Sequence, residues 1–126
     1  MFKSGPVDVI IPAFNEEDSI EHVLNGLPRE LLRNIVVVDN GSTDRTAQRA
    51  RCAGATVVAE PRRGYGSACL AGLRMLESLE TAPFVVVFLD GDFSDHPDEL
   101  PRLLLPIDGG AELVIGSRTQ IGRAHV

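Results

Sequence analysis

The sequence predicts an α/β fold, a three-layer sandwich with helices on both faces of a mainly parallel sheet. Two observations lead there. Five short runs are apolar almost without interruption, as strands buried on both faces are, rather than alternating as half-exposed strands do. Segments of helical spacing alternate with them, and strand–helix alternation is the signature of a parallel sheet.

Val7-Asp8-Val9-Ile10-Ile11 is the first strand, stopping at Pro12. Asn15 is placed to cap a helix whose first turn holds Glu16, Glu17 and Asp18, the charge sign favoured there. Ile20, Val23, Leu24 and Leu27 form its apolar face, and Pro28 ends it. Ile35-Val36-Val37-Val38 is the second strand, ending at Asp39. After the Asn40-Gly41-Ser42 turn, Ser42 or Thr43 caps a helix reaching about Gly54. Val57-Val58-Ala59 is a third strand, and Gly64-Tyr65-Gly66-Ser67 opens a helix with Cys69, Leu73 and Leu76 on one face. Phe84 to Leu89 is the fourth strand, ending at Asp90. Leu100, Leu103, Leu104 and Ile107 mark a helix begun near Pro97, and Leu113-Val114-Ile115 is a fifth strand. No repeat, linker or low-complexity stretch suggests a second domain.

With 126 residues, 44% of them hydrophobic, the chain has the means to bury one core. A net charge of −6 disfavours nucleic acid or an anionic bilayer as partner, since both need clustered Lys and Arg. An anionic small molecule remains open if a metal supplies positive charge. Cys52 and Cys69 form no C-x-x-C and read as two reduced core thiols. The start is too short and polar for a signal peptide, and no apolar run reaches membrane-spanning length. A cytoplasmic protein is expected.

Ligands of open α/β sheets bind beyond the carboxyl ends of the strands. Those ends read Pro12-Ala13-Phe14-Asn15-Glu16, Asp39-Asn40-Gly41-Ser42, Glu60-Pro61-Arg62-Arg63-Gly64 and Asp90-Gly91-Asp92, so the polar residues converge on one rim. Asp90 and Asp92, one residue apart, can hold a hard divalent cation through oxygen, as Mg²⁺ is held with water and substrate phosphates completing the shell. The same three residues can also be a solvated acidic turn. Asp39 suits either the N–H edge of a base or an Asx turn, and Asn15 and Glu16 are either ligand-side residues or helix-start residues. His96 is read as loop or cap material. Arg62-Arg63 suits a diphosphate, with Gly64 and Gly66 placing open backbone amides nearby.

Taken together these stretches resemble the family 2 glycosyltransferases of the GT-A fold. The resemblance rests on Val9-Ile10-Ile11-Pro12-Ala13-Phe14-Asn15-Glu16, Val36-Val37-Val38-Asp39-Asn40-Gly41-Ser42-Thr43-Asp44 and Phe88-Leu89-Asp90-Gly91-Asp92. Within the family the likeness leans to the polyprenyl-phosphate (dolichyl-phosphate-type) sugar synthases. It does so through Gly64-Tyr65-Gly66-Ser67-Ala68 with Gly72, Asp92-Phe93-Ser94-Asp95-His96-Pro97 with Leu100-Pro101, and Gly116-Ser117-Arg118. The resemblance implies a GT-A (Rossmann-like) sandwich, truncated, and a UDP- or GDP-linked sugar donor. It implies that Pro12 and Ala13 offer backbone to the base, that Asn15 and Glu16 lie beside the nucleotide, and that Asp39 holds the base edge. Asp90 would lie near ribose and diphosphate, Asp92 would hold Mg²⁺ or Mn²⁺, and Arg118 would lie near the reacting phosphates. Asn40 departs from the second Asp of many relatives, and Ser94 from a longer side chain in some.

The implied reaction is inverting transfer, with an acceptor oxygen attacking the anomeric carbon as the nucleoside diphosphate leaves. A lipid-phosphate acceptor, already anionic near neutral pH, needs no strong base, whereas a hydroxyl does. Membrane contact is expected only through that acceptor or a missing C-terminal region, at the cytoplasmic face. Residues 1–120 are read as the nucleotide-sugar-binding part. Residues 121–126 back-translate to ATC GGA AGA GCA CAC GTC, which looks like a sequencing adapter, so they are expected to pack against nothing and to leave the fifth strand as an open edge.

Competing readings are weaker. A haloacid-dehalogenase-type D-x-D phosphatase carries its motif on the first strand and wants Thr or Val where Ser94 stands. A nucleotidyltransferase needs a Gly-rich loop where Pro12-Ala13-Phe14-Asn15-Glu16 stands, and a dinucleotide oxidoreductase needs a glycine at Cys69. A fragment that binds nucleotide sugar without transferring it is the remaining alternative.

Overall fold

A computed structural model describes residues 6–80, 85–89, 91, 112–116 and 121–125, the last two stretches by their backbone. The elements are β1 (Val7–Ala13), α1 (Ile20–Asn25), a 3-10 turn (Arg29–Leu31), β2 (Asn34–Asp39), α2 (Thr46–Cys52), β3 (Thr56–Ala59), α3 (Tyr65–Glu77), β4 (Val85–Phe88), β5 (Glu112–Gly116) and β6 (Ile121–His125). They form one sheet in the order β3-β2-β1-β4-β5-β6. Neighbours are parallel throughout except β5 and β6. The expected helix from Pro97 through Ile107 lies outside the described residues. No helix among the described residues is long and apolar enough to cross a membrane.

The unbroken apolar strands are explained by the layers. Val9 and Ile11 of β1 join Val37, Val87 and the buried faces of α1 and α2, including Ile20, Val23, Leu24 and Ala50. Ile10, Val36, Val38 and Phe88 face the other way, onto Ala68, Ala71 and Leu76 of α3. β1, β2 and β4 are thus covered on both sides, which is why their residues hardly alternate with polar ones. α3 is drawn close at one point. A Cβ on Gly72 would stand 2.7 Å from Cγ2 of Ile10, so only glycine lets helix and strand approach this far.

The sheet's amino-terminal end carries a buried charge. Asp8 on β1 is fully buried and accepts from Arg33 Nε (3.1 Å), from Arg33 Nη2 and from the Asn34 backbone N–H (2.9 Å).

Four expectations need correction. Strand β1 runs to Ala13 instead of stopping at Pro12, because the position of Pro12 faces the β4 side, where pairing has ended and no N–H is needed. Ile10, two residues earlier and so on the same side, makes the last bond there, accepting from Leu89 N–H at 3.1 Å. Asn15 does not cap α1; it sits at φ 51°, and the helix begins at Ile20. Cys52 is exposed at the end of α2, not in the core, while Cys69 is half-buried beside the α3-side cluster. Finally, Ile121–His125 does pack: as β6 it pairs antiparallel with β5, Leu113 opposite Ala124 and Ile115 opposite Gly122. An edge strand offers a row of free N–H and C=O groups, which an extended segment satisfies whatever its side chains.

Replacing glycine by alanine inside a helix ordinarily gains about 0.5–1 kcal/mol. Gly72→Ala is expected instead to cost about 1–3 kcal/mol through overpacking, read as a lower urea midpoint. The cost should shrink in an Ile10→Ala background; a neutral Gly72→Ala contradicts the close contact.

Candidate functional site

The strand order places β2 and β3 to one side of β1 and β4 to the other. The carboxyl ends of β1 and β4 therefore flank the point where the chain reverses direction across the sheet, the usual ligand crevice of such folds. Gly91 is buried there: a Cβ on it would lie 3.4 Å from Ala13 Cβ, 3.5 Å from Glu16 Cγ and 3.5 Å from the Pro12 carbonyl. Pro12, Ala13 and Glu16 thus gather around the residue between Asp90 and Asp92. Those two carboxylates, Arg118 and His96 lie outside the described residues.

The rim loops are tied to one another. Asn15 and the β2–α2 loop form a reciprocal latch: Asn15 N–H donates to Ser42 Oγ (2.9 Å), and Thr43 N–H donates to Asn15 Oδ1 (2.9 Å). This employs the two residues expected to cap α2, whose N-cap is Arg45, with no side-chain bond. A second tie runs through Thr46, fully buried, whose hydroxyl accepts from Glu16 N–H (2.8 Å) and donates to Asp44 Oδ1. Asp44 Oδ2 also accepts from Glu17 N–H at 3.3 Å. Burial raises the Asp44 carboxyl, but the Thr46 hydroxyl and the N–H groups of Thr46, Glu17 and Asp44 itself outweigh it and hold it below the ordinary carboxylate range.

Asp39 closes the loop after β2 with its own side chain, Oδ1 accepting from the N–H of Ser42 three residues on at 3.0 Å. Its Oδ2 has no partner among the described residues, so the turn uses one of the two carboxylate oxygens. Asn40 is buried and grips the loop after β3: Nδ2 donates to the carbonyls of Glu60 (2.9 Å) and Arg62 (2.6 Å), and Oδ1 accepts from Gly64 N–H (3.0 Å). The Gly64 amide, expected to be open to a diphosphate, is therefore occupied. Gly64 itself takes φ 124°, a backbone few other residues adopt. Arg62 is exposed, held through its backbone, while the guanidinium of Arg63 lies 3.6 Å over the Phe14 ring.

Asn40, Thr46, Asp44 and Ser19 escape a reading by sequence because each looks like a common turn or cap residue. Asn40 alone left a signal, as an amide where a carboxylate is common: only an amide can give two hydrogens and accept one here.

Residues 8–125 match the family described as Glycosyl transferase family 2. The chain belongs to this family. An uncharacterized glycosyltransferase of Mycobacterium tuberculosis (strain ATCC 25618 / H37Rv) is 44% identical over 119 residues, covering 94% of this chain and 51% of that protein. The polyprenol monophosphomannose synthase of Mycolicibacterium smegmatis is 36% identical over 121 residues, covering 87% of this chain and 44% of the synthase. The chain spans about half the length of these curated relatives. Glucosyl-3-phosphoglycerate synthase from Mycobacterium tuberculosis, solved with Mn²⁺, UDP and glucosyl-3-phosphoglycerate, superposes with a TM-score of 0.69 at 34% identity. The match covers 81% of this chain and 39% of that one. The β1–β4 crevice and its latched loops are thus set on a GT-A sheet.

Two outcomes test the latches. Asn40→Asp removes both donors and sets a carboxylate against two carbonyls; it should cost about 1–3 kcal/mol in chemical denaturation and raise hydrogen exchange at the Gly64 amide. For Asp44, a depressed carboxylate contributes stability that is present above its unfolded pKa of about 3.9 and is lost as pH falls through the lower folded value. Stability measured from about pH 5 down to pH 2 should therefore fall less steeply in Asp44→Asn; equal slopes refute the role given to the Asp44 hydrogen bonds.

Proposed function

We propose that this glycosyltransferase chain forms the donor side of an inverting transfer from a UDP- or GDP-linked sugar, with a polyprenyl phosphate as acceptor. One observation carries the reading. Gly91 of the Asp90-Gly91-Asp92 stretch packs into the β1–β4 crevice against Pro12, Ala13 and Glu16, in a chain of a glycosyltransferase family. The acceptor class is supported by the polyprenol monophosphomannose synthase relative, and the donor by the UDP and Mn²⁺ of the synthase complex.

Residues 1–120 then make the nucleotide-sugar part of the domain. Pro12 and Ala13 line the nucleotide with Asn15 and Glu16, and Asp39, with one carboxylate oxygen left over from its turn, accepts from the base edge. Arg62 meets the diphosphate, and Gly64 holds its loop close enough for that contact. Asp90 faces ribose and diphosphate, Asp92 holds Mg²⁺ or Mn²⁺, and Arg118 stands near the reacting phosphates. Hard carboxylate oxygens suit such an ion. When bound, it offsets the charge that develops on the departing diphosphate. A lipid-phosphate acceptor is already anionic, so no general base is assigned, and a cytoplasmic membrane face is the place of reaction.

Stabilisation by a ligand follows mass action, about 2.7 kcal/mol at 100 times Kd. UDP or GDP is expected to raise the melting temperature more in Mn²⁺ than in EDTA, and Asp92→Asn to abolish the difference. Equal shifts in both buffers with a silent Asp92→Asn refute the proposal.

A further inference from the structure

We infer that Ser19 is a positioning residue for the acidic stretch, fixing Asp90-Gly91-Asp92 through the carbonyl of Gly91; this rests on the metal and nucleotide reading above.

Ser19 is the N-cap residue of α1, where a serine ordinarily bonds the amides of its own helix. Here it makes no side-chain cap bond. Its hydroxyl reaches instead across 72 positions of sequence to the Gly91 carbonyl, at 2.7 Å. The two other acceptors within reach, Glu16 Oε2 at 3.3 Å and Glu16 O at 3.5 Å, are longer, and a hydroxyl has one hydrogen to give. Distance assigns that hydrogen to Gly91.

The consequence follows from where Gly91 sits. It is buried against Ala13, Glu16 and Pro12, and a buried carbonyl without a partner is costly. The hydroxyl removes that cost only when the Gly91 carbonyl is turned toward the start of α1. Asp90 and Asp92 are the covalent neighbours of that one glycine, so fixing its backbone restricts the positions open to both. The bond links the start of α1, the helix after β1, to the residue two positions past Leu89 at the carboxyl end of β4. Ser19 touches neither nucleotide nor metal in this scheme; it acts through Gly91.

The test uses the 126-residue chain and its variants Ser19→Ala, Ser19→Thr and Asp92→Asn, with UDP and Mn²⁺ as probes. Two quantities are measured by calorimetry: the affinity for Mn²⁺ in the presence of UDP, and the affinity for UDP in EDTA. Ser19→Ala is expected to weaken Mn²⁺ about tenfold or more, the scale of losing a partner behind a metal ligand, and to leave UDP in EDTA unchanged. Ser19→Thr, which keeps the hydroxyl, should restore Mn²⁺ affinity. A merely structural role would lower the ligand-free melting temperature and both affinities together, and that pattern overturns the inference. If Asp92→Asn abolishes the Mn²⁺ dependence while Ser19→Ala matches the parent chain, the site reading stands and the role of Ser19 falls. If the parent chain shows no Mn²⁺ dependence, or Asp92→Asn keeps the dependence of the parent chain, the site reading falls and takes this inference with it.

Discussion

β1 is paired on both sides, and the rest of the structure depends on that placement. Chain travel reverses across this strand: α1 and α2, which follow β1 and β2, lie on one face of the sheet, and α3, which carries the chain from β3 back past β1 to β4, lies on the other. A gap at the carboxyl end is then forced by topology before any side chain is chosen. Pro12 reinforces it. Set on the β4 side with no N–H to give, it adds nothing to a ladder that already stops at Ile10 and Leu89. The crevice is a place where pairing ends by design of the backbone.

The loops over this gap belong to different strands, yet few are held by their own residues. Asn15 is fastened to Ser42 and Thr43, Glu16 to Thr46, and Asn40 to the stretch from Glu60 to Gly64. Each bond crosses between loops. The rim therefore behaves as one polar network in which a change in any loop is felt by its neighbour. Hydrogen bonds of this kind add modest stability singly, but each defines where the next loop must stand.

The layers, the alternation of strands and helices, and the gathering of the loops after β1, β2 and β3 on one rim were legible in the sequence. Unbroken runs such as Ile35 to Val38 have few other places to go than a doubly covered strand. What the sequence hid was the direction in which small polar side chains turn. Asn15, Ser42, Thr43 and Ser19 all have the composition of helix caps, and local chemistry alone favours that use. Tertiary partners as many as 72 positions away outcompeted it, and no local pattern reports such a partner. The pairing of β6 with β5 escaped for the opposite reason: backbone pairing asks little of the side chains, so their character foretells little.

At the far end of the sheet, Asp8 works as an index mark. Its carboxylate is fully buried and finds its partners, Arg33 and the Asn34 amide, only when Asp8 stands opposite Asn34. A slip of one residue would move β1 along β2 by about 3.3 Å and turn every side chain to the other face. It would also strand a buried charge, at a cost of several kcal/mol. Five rungs further along the same ladder, Ala13 faces Asp39. The alignment of the two loops that begin there is thus measured out from the opposite end of the molecule.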